Sequence, residues 1–143
     1  MATPSRELHC VVVTPERALL DAKADFVALP MYDGELGVLP GRAPLIGRLG
    51  YGELRIKQGT KITHLYVDGG FVQVRADEVT VLTSRALRAG EIKPENAQQA
   101  LAAAEAAQKK AVGAEAQEAQ RVAQEKARAQ LRVARHRGED AAV

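Results

Sequence analysis

Three histidines and one cysteine are the residues of this sequence best suited to bind a metal or act in nucleophilic catalysis. His9 and Cys10 are adjacent, and neighbouring side chains on a strand point to opposite faces, so we expect no thiolate–imidazole pair. His64 and His136 are distant in sequence, and no cysteine or carboxylate stands at a metal-ligand spacing from them. We therefore predict no metal site, no disulfide, and a buried packing role for Cys10.

A glycine-rich stretch and an acidic turn are two further candidates for chemistry. Gly47 to Gly52 resembles a nucleotide-binding loop only superficially, because the glycine spacing is wrong and no helix is predicted to follow, so we interpret these residues as turn glycines. Asp33 and Glu35 flank Gly34 in a stretch predicted to be an exposed turn. A general acid–base pair needs burial that such a turn does not provide. No catalytic residue and no cofactor are predicted.

Four arginines near the C-terminus are the strongest candidate for a binding surface. Their separations of seven, four and three residues align them within about 60° on a helix; they are Arg121, Arg128, Arg132 and Arg135. A solvated helix face explains them, and so does an arm that docks on an acidic partner, because the guanidinium group binds carboxylates in a bidentate manner. Nucleic acid is disfavoured because no aromatic residues interleave with the arginines. A membrane surface is disfavoured because the other face of the helix is mostly alanine.

The composition changes sharply near Gly90. Residues 1–90 hold 10 of the 12 glycines and all five aromatic residues, whereas residues 91–143 hold 17 alanines and two glycines. The first part is typical of short strands and the second of helices. We predict an antiparallel β-sandwich of about ten short strands, with hairpins at Gln58-Gly59 and Arg75–Asp77.

The second part is predicted to be an antiparallel α-helical hairpin. One helix runs from Pro94 to Val112, the other from Ala114 to Arg137, and Gly113 separates them at a position suited to a helix C-terminus. The faces that pack together are dominated by alanine, so little apolar area is buried. The chain is thus predicted to have two domains, an all-β domain over 1–90 and an all-α domain over 91–143, with the helices weakly held.

Length and charge exclude several classes of protein. A chain of 143 residues is one domain or a small domain with an appendage. No apolar run is long enough to span a bilayer, and the N-terminus shows no signal-peptide pattern. A net charge of +2 does not indicate nucleic-acid binding by itself.

Several motifs, in order along the chain, resemble those of the epsilon subunit of bacterial F-type ATP synthases, equivalent to the mitochondrial delta subunit. The early segment Val13–Arg17 is similar to the family's first strand and turn. The later matches are the loop Gly34–Gly41 (GELGVLPG), Ala43–Leu45 (APL), the strands Val67–Val74 (VDGGFVQV) and Val79–Leu82, and the terminal-helix segment Ala129–Val133 (AQLRV).

The resemblance implies a rotor component without enzymatic activity. In this family the sandwich joins the gamma subunit to the c-ring, and the helical hairpin is a mobile inhibitor of ATP hydrolysis that transiently meets the alpha and beta subunits. It implies a peripheral location on the cytoplasmic face of the bacterial inner membrane, with membrane contact only through the complex. The implied contacts with the c-ring and gamma are Asp33, Glu35, Leu36, Gly37 and Arg42, and the arginines from Arg121 to Arg135 form the implied inhibitory surface.

Two positions depart from the family pattern. Arg42 stands where the family usually has a histidine after the Pro-Gly pair, so the local packing or the gamma contact is expected to differ. Some relatives bind ATP through an I/L-D-x-x-R-A motif, and the matching segment here, Ile92 to Ala97, has Lys93 and Asn96 at the acidic and basic positions. Loss of the guanidinium removes a strong phosphate ligand, so no ATP site is expected.

One alternative from another class stays open at this point. The same layout suits a free-standing β-sandwich that binds a ligand or a nucleic acid and carries a helical tail. Such a protein would purify without ATP synthase subunits.

Overall fold

The computed structural model describes residues 6–136, which form eight strands followed by two helices. The predicted β-sandwich followed by an α-helical hairpin is confirmed, and the last seven residues of the predicted helical domain lie outside the described range. The strands are β1 (Leu8–Val13), β2 (Ala18–Ala24), β3 (Phe26–Met31), β4 (Gly34–Val38), β5 (Leu45–Gln58), β6 (Lys61–Arg75), β7 (Glu78–Leu82) and β8 (Ala86–Arg88). The helices are α1 (Pro94–Lys110) and α2 (Ala114–Ala134), with a short 3₁₀ turn at Ala89–Glu91 before α1.

The strands pair in the order β2-β1-β7-β6-β5-β3-β4, with β8 added to β6. All pairs are antiparallel except β1 with β7, which is parallel. The core between the two layers is built from valines and leucines of every strand from β1 to β7, with Cys10 among them. The sandwich therefore has a continuous apolar interior although each strand contributes few residues.

The structure has eight strands rather than about ten, and two of them, β5 and β6, are long, with 14 and 15 residues. β5 and β6 pair from Leu45 with Val74 to Gln58 with Lys61. Their side-chain alternation reverses midway: Leu54 and Leu65 face the core on one side of the reversal, and Leu49 and Val72 on the other. Each long strand thus serves both layers of the sandwich.

The reversal occurs at glycines, and one of them, Gly52, was wrongly interpreted as a turn residue. Gly70 has φ +113°, and a Cβ placed there would lie 2.0 Å from the Leu82 carbonyl oxygen. Gly52, inside β5, approaches β3 so closely that a Cβ would lie 2.7 Å from Cβ of Pro30. Both glycines lie within strands. Their lack of a side chain allows neighbouring backbones to approach closely, and the chain does not reverse direction there.

The two predicted hairpin turns are confirmed. Gln58 pairs with Lys61 across a two-residue turn that includes Gly59. Arg75 pairs with Glu78, and the turn residues Ala76 and Asp77 both have positive φ, the geometry of a type I′ turn. The stretch from Gly34 was expected to be an exposed turn, but it forms strand β4, and only the tip of the β3–β4 hairpin is a turn.

The helices begin and end close to the predicted residues. Pro94 opens α1 at its first position, as expected, because a missing N–H costs nothing there. Gly113, expected to follow the end of the first helix, instead immediately precedes α2 with φ +93°. Within the described residues, no helix is long and apolar enough to cross a membrane.

Cys10 and His9 lie as predicted on opposite faces of β1. Cys10 is fully buried, and burial raises the pKa of its thiol to about 12. His9 is exposed and bridges two strands, with Nε2 against Asp21 of β2 and Nδ1 3.3 Å from Glu78 of β7. These hydrogen bonds, Asp21 first and Glu78 second, raise the pKa of His9.

The reversal in β6 yields a test of stability. The substitution Gly70→Ala should lower the free energy of unfolding by at least ~2 kcal/mol. Alanine is strained at a positive φ, and its methyl group would also clash with a backbone oxygen. Gly59→Ala is the matched control: its φ is +62° but its surroundings are open, so about 1 kcal/mol is expected. Urea unfolding of both variants measures the difference, and equal losses would contradict the assigned role of Gly70.

Candidate functional site

The outward face of the β5–β6 ladder is the surface on which the helical hairpin lies. Because Leu54 and Leu65 face the core, Glu53 and His64 point to the opposite side, toward α2. α2 covers the face that carries Glu53 and Arg55, and only 16% of the Glu53 side chain is exposed. This surface is therefore an interface within the chain.

A small apolar cluster holds α2 against this face. It is separate from the sandwich core and consists of Tyr66, Ala89, Ile92, Ala129, Val133 and Ala134. Half of these side chains are alanines, so each contributes little buried area at about 25 cal/mol per Å². The predicted alanine-rich packing is present, and it extends from the helix pair to the contact with the sheet.

Polar contacts surround that cluster. Lys126 of α2 lies 3.3 Å from the Asp68 carboxylate of β6, and its Nζ sits 4.6 Å from the ring centroid of Tyr51. Tyr66 donates a hydrogen bond to Asp68 over 3.3 Å, and burial is the first cause that raises the pKa of Tyr66. A partly exposed ion pair is worth at most about 1 kcal/mol, so these contacts orient α2 more than they fasten it.

Two histidines meet at the end of α2. The rings of His64 and His136 stack with centroids 3.6 Å apart and planes 3° from parallel. Glu53 Oε2 lies 3.4 Å from Nδ1 of His64 and 3.7 Å from Nε2 of His136. No carboxylate stands at a metal-ligand spacing from these histidines in the sequence, but the fold brings Glu53 to both of them.

Sequence reasoning missed this cluster because one of its three members, His136, reaches the other two only when α2 docks on the sheet. The hairpin at Gln58-Gly59 sets Arg55 opposite His64, so Glu53 and His64 become diagonal neighbours on one face. The proximity of Glu53 to His64 could have been inferred from the register of this hairpin. No pattern in the sequence indicated that His136 would reach the same place.

The residues of the β3–β4 hairpin proposed as contacts lie mostly at the surface. Asp33, Glu35 and Gly37 are exposed, whereas Leu36 packs partly against the sandwich core. Glu35 accepts a hydrogen bond from Arg55 over 2.6 Å, which ties the edge strand β4 to β5. These side chains are not brought together into a pocket.

Asp77 accepts hydrogen bonds that fix the loop after β4. The Gly41 amide donates to Asp77 Oδ1 over 2.7 Å, and Arg6 donates to Oδ2 over 2.7 Å. The Gly41 hydrogen bond first, and Arg6 second, lower the pKa of the Asp77 carboxyl. Arg42 is exposed in this loop, so the residue that replaces the family's histidine takes no part in the core.

The four arginines lie on the side of α2 away from its buried alanines, but their surroundings differ. Arg121 donates to Glu118 over 2.8 Å within the helix, and Arg128 lies 3.7 Å from Glu105 of α1. Arg132 lines a groove with Glu35 and Glu53 of the sandwich, and Arg135 is exposed.

The segment aligned with the ATP motif packs into the structure at its two ends. Ile92 and Ala97 are buried, while Lys93, Glu95 and Asn96 are exposed at the start of α1. The backbone carbonyl of Lys93 accepts the amides of Asn96 and Ala97. The absence of an ATP site stays a prediction.

These features define a class of protein: a β-sandwich that carries a docked helical hairpin. Residues 7–89 match the family model described as ATP synthase, Delta/Epsilon chain, beta-sandwich domain. The chain therefore belongs to the ATP synthase delta/epsilon family.

Curated relatives agree with this assignment. The ATP synthase epsilon chain of Rhodopirellula baltica is 64% identical over 80 residues, which is 56% of this chain and 62% of that protein's length. The ATP synthase epsilon chain of Nitratidesulfovibrio vulgaris (strain Miyazaki F) is 42% identical over 66% of this chain and 71% of its own.

A solved structure has the same fold over most of the chain, helices included. A chain in the structure of the Euglena gracilis mitochondrial ATP synthase, OSCP/F1/c-ring, superposes with a TM-score of 0.78 at 22% identity. The superposition covers 89% of this chain and 81% of that one.

The small cluster under α2 yields a test of how the hairpin is held. Ala129 is fully buried, so Ala129→Glu should lower the free energy of docking by ~2 kcal/mol or more while the sandwich, with its separate core, stays folded. Amide hydrogen exchange should show loss of protection over 94–134 and retained protection in β5 and β6. Ala119→Glu, at an exposed position of the same helix, is the control, and protection of the hairpin in both variants would refute the docking role.

Proposed function

We propose that this chain is the epsilon subunit of a bacterial F-type ATP synthase, a rotor component without catalytic activity of its own. The family match over residues 7–89 carries the proposal, and it counts against a free-standing ligand-binding sandwich. In this assignment residues 1–90 join the gamma subunit to the c-ring, and residues 91–143 form a regulatory arm. The subunit would lie at the cytoplasmic face of the inner membrane and contact it only through the complex.

An exposed apolar patch on the sandwich supports a docked partner. Ile46, Phe71 and Leu82 are 77%, 59% and 51% exposed. Phe71 stands directly opposite Leu82, and Ile46 lies on the neighbouring strand. Adjacent large apolar side chains of this exposure mark interaction surfaces. We assign this patch, on the layer of β7, to the gamma subunit.

The β3–β4 hairpin is the surface that we assign to the c-ring. Its tip exposes Tyr32 at 67%, and Leu39 in the following loop is 61% exposed. Between them lie Asp33, Glu35 and Gly37, with Arg42 beyond. The bonds from Arg55 to Glu35 and from Gly41 to Asp77 fix the hairpin and its loop, as a surface that transmits torque requires.

The arm is proposed to be a two-state element. In the arrangement described here it is docked through alanines and a few partly exposed polar contacts, so undocking costs little. In the second state it would extend beside gamma, and the arginines would meet acidic groups of the catalytic subunits.

The gamma assignment is tested at the apolar patch. Phe71→Glu should weaken binding of the gamma subunit by ~2 kcal/mol or more, because a large side chain at the centre of an interface is replaced by a charge. Co-purification and surface plasmon resonance with gamma measure the loss. Val112→Glu changes an apolar residue that is 90% exposed outside the patch and should bind normally. Equal binding by both variants would exclude this surface.

The inhibitory role is tested on the assembled complex. Replacing Arg121, Arg128, Arg132 and Arg135 with alanine should relieve inhibition of ATP hydrolysis, because four exposed ion pairs at ~0.5 kcal/mol each shift the equilibrium roughly thirtyfold. Lys109→Ala with Lys110→Ala removes positive charge from α1 instead and should leave hydrolysis inhibited. An unchanged hydrolysis rate in the arginine variant, with the subunit still bound, would refute the proposal.

A further inference from the structure

The cluster of Glu53, His64 and His136 has the composition and spacing of a transition-metal site. One donor atom from each residue lies within 4.8 Å of the other two. In a tetrahedral zinc site with bonds of about 2.0–2.1 Å, neighbouring donors are about 3.3–3.4 Å apart. The separations of 3.4 and 3.7 Å from Glu53 Oε2 to the two ring nitrogens are close to that value.

We propose that these three side chains bind a divalent transition metal of the zinc class. Two imidazoles and one carboxylate form a donor set that zinc accepts readily, with a fourth position left for water. Glu53 comes from β5, His64 from β6, and His136 from the end of α2. The metal therefore joins the sandwich to the helical hairpin.

The surroundings orient the carboxylate for this task. Arg55 Nε lies 3.9 Å from Glu53 Oε1, the oxygen that faces away from the histidines, while its guanidinium also binds Glu35. Oε2 is thereby directed at the two rings. Groups that contact a metal ligand on the side away from the ion, and so orient it, influence the affinity for the metal strongly.

Binding requires one ring to leave the stacked arrangement. The nitrogen lone pairs lie in the ring planes, and two nearly parallel stacked planes do not meet at bonding distance, so one ring must tilt for both to reach a single ion. The His64 side chain is 5% exposed and held in place, whereas that of His136 is 32% exposed at the end of α2. His136 is the ring that moves, and its exposed side gives the ion access.

The consequence is a latch on the arm. The three ligands come together only when the hairpin is docked. The metal therefore stabilises the docked state by RT ln(1 + [L]/Kd), where [L] is the concentration of free metal. The effect of this latch on ATP hydrolysis rests on the proposed function above; metal binding itself does not.

The first experiment measures binding to the isolated full-length chain. Zn²⁺ is titrated in competition with a chromophoric chelator, and Co²⁺ serves as a spectroscopic probe of coordination. We expect one ion per chain, and a loss of about tenfold or more in affinity for His136→Ala and for Glu53→Gln. His136 lies at the surface end of α2, so its replacement leaves both apolar clusters intact.

His9→Ala is the matched control. His9 also has two carboxylate neighbours, but they contact opposite ring nitrogens and cannot share one ion with it. Zn²⁺ affinity in this variant should equal that of the natural chain. Equal affinity in the natural chain and in His136→Ala would overturn the proposed site.

A second experiment tests the latch. Saturating Zn²⁺ should slow amide hydrogen exchange over 94–134 in the natural chain and leave it unchanged in His136→Ala. Tight binding without slower exchange would overturn the latch. Neither measurement uses the other subunits, so failure here leaves the ATP synthase assignment standing, and failure of gamma binding leaves the metal site standing.

Discussion

The pairing of β5 with β6 is the interaction on which the rest of the structure depends. These two strands change the face that they bury near Gly50 and Gly70, so one ladder supplies the interior of both layers. The same ladder turns Glu53 and His64 toward α2 in one half and Phe71 outward in the other. The docking face of the arm and the exposed apolar patch are therefore fixed by a single register.

The molecule has two apolar clusters, and they contribute unequally to its stability. The sandwich interior is filled by leucines and valines, each of which contributes about 1.5–3 kcal/mol when fully buried. The cluster beneath α2 is half alanine. Regions with few apolar contacts open at low free energy while the core stays closed. The contact of α2 with the sheet therefore buries less apolar side-chain area per residue than the sandwich interior does.

The sequence predicted what local chemistry determines. Pro94 started a helix, Ala76-Asp77 made a tight turn, and Cys10 was buried, each for a reason visible within a few residues. The glycines from Gly47 to Gly52 in β5 were misread as turn residues, because a glycine in a turn and one beneath another backbone look identical in sequence. The meeting of His136 with His64 could not be predicted, because it depends on how a helix docks on a sheet.

The strand order leaves β2 and β4 at the ends of the main ladder. Exposed edges invite pairing with another sheet, and proteins discourage this with charges and short strands. Here β2 exposes Asp21 and Lys23, and β4 has five residues, two of them glycine. These charges and this short strand disfavour self-association through the edges of the sheet.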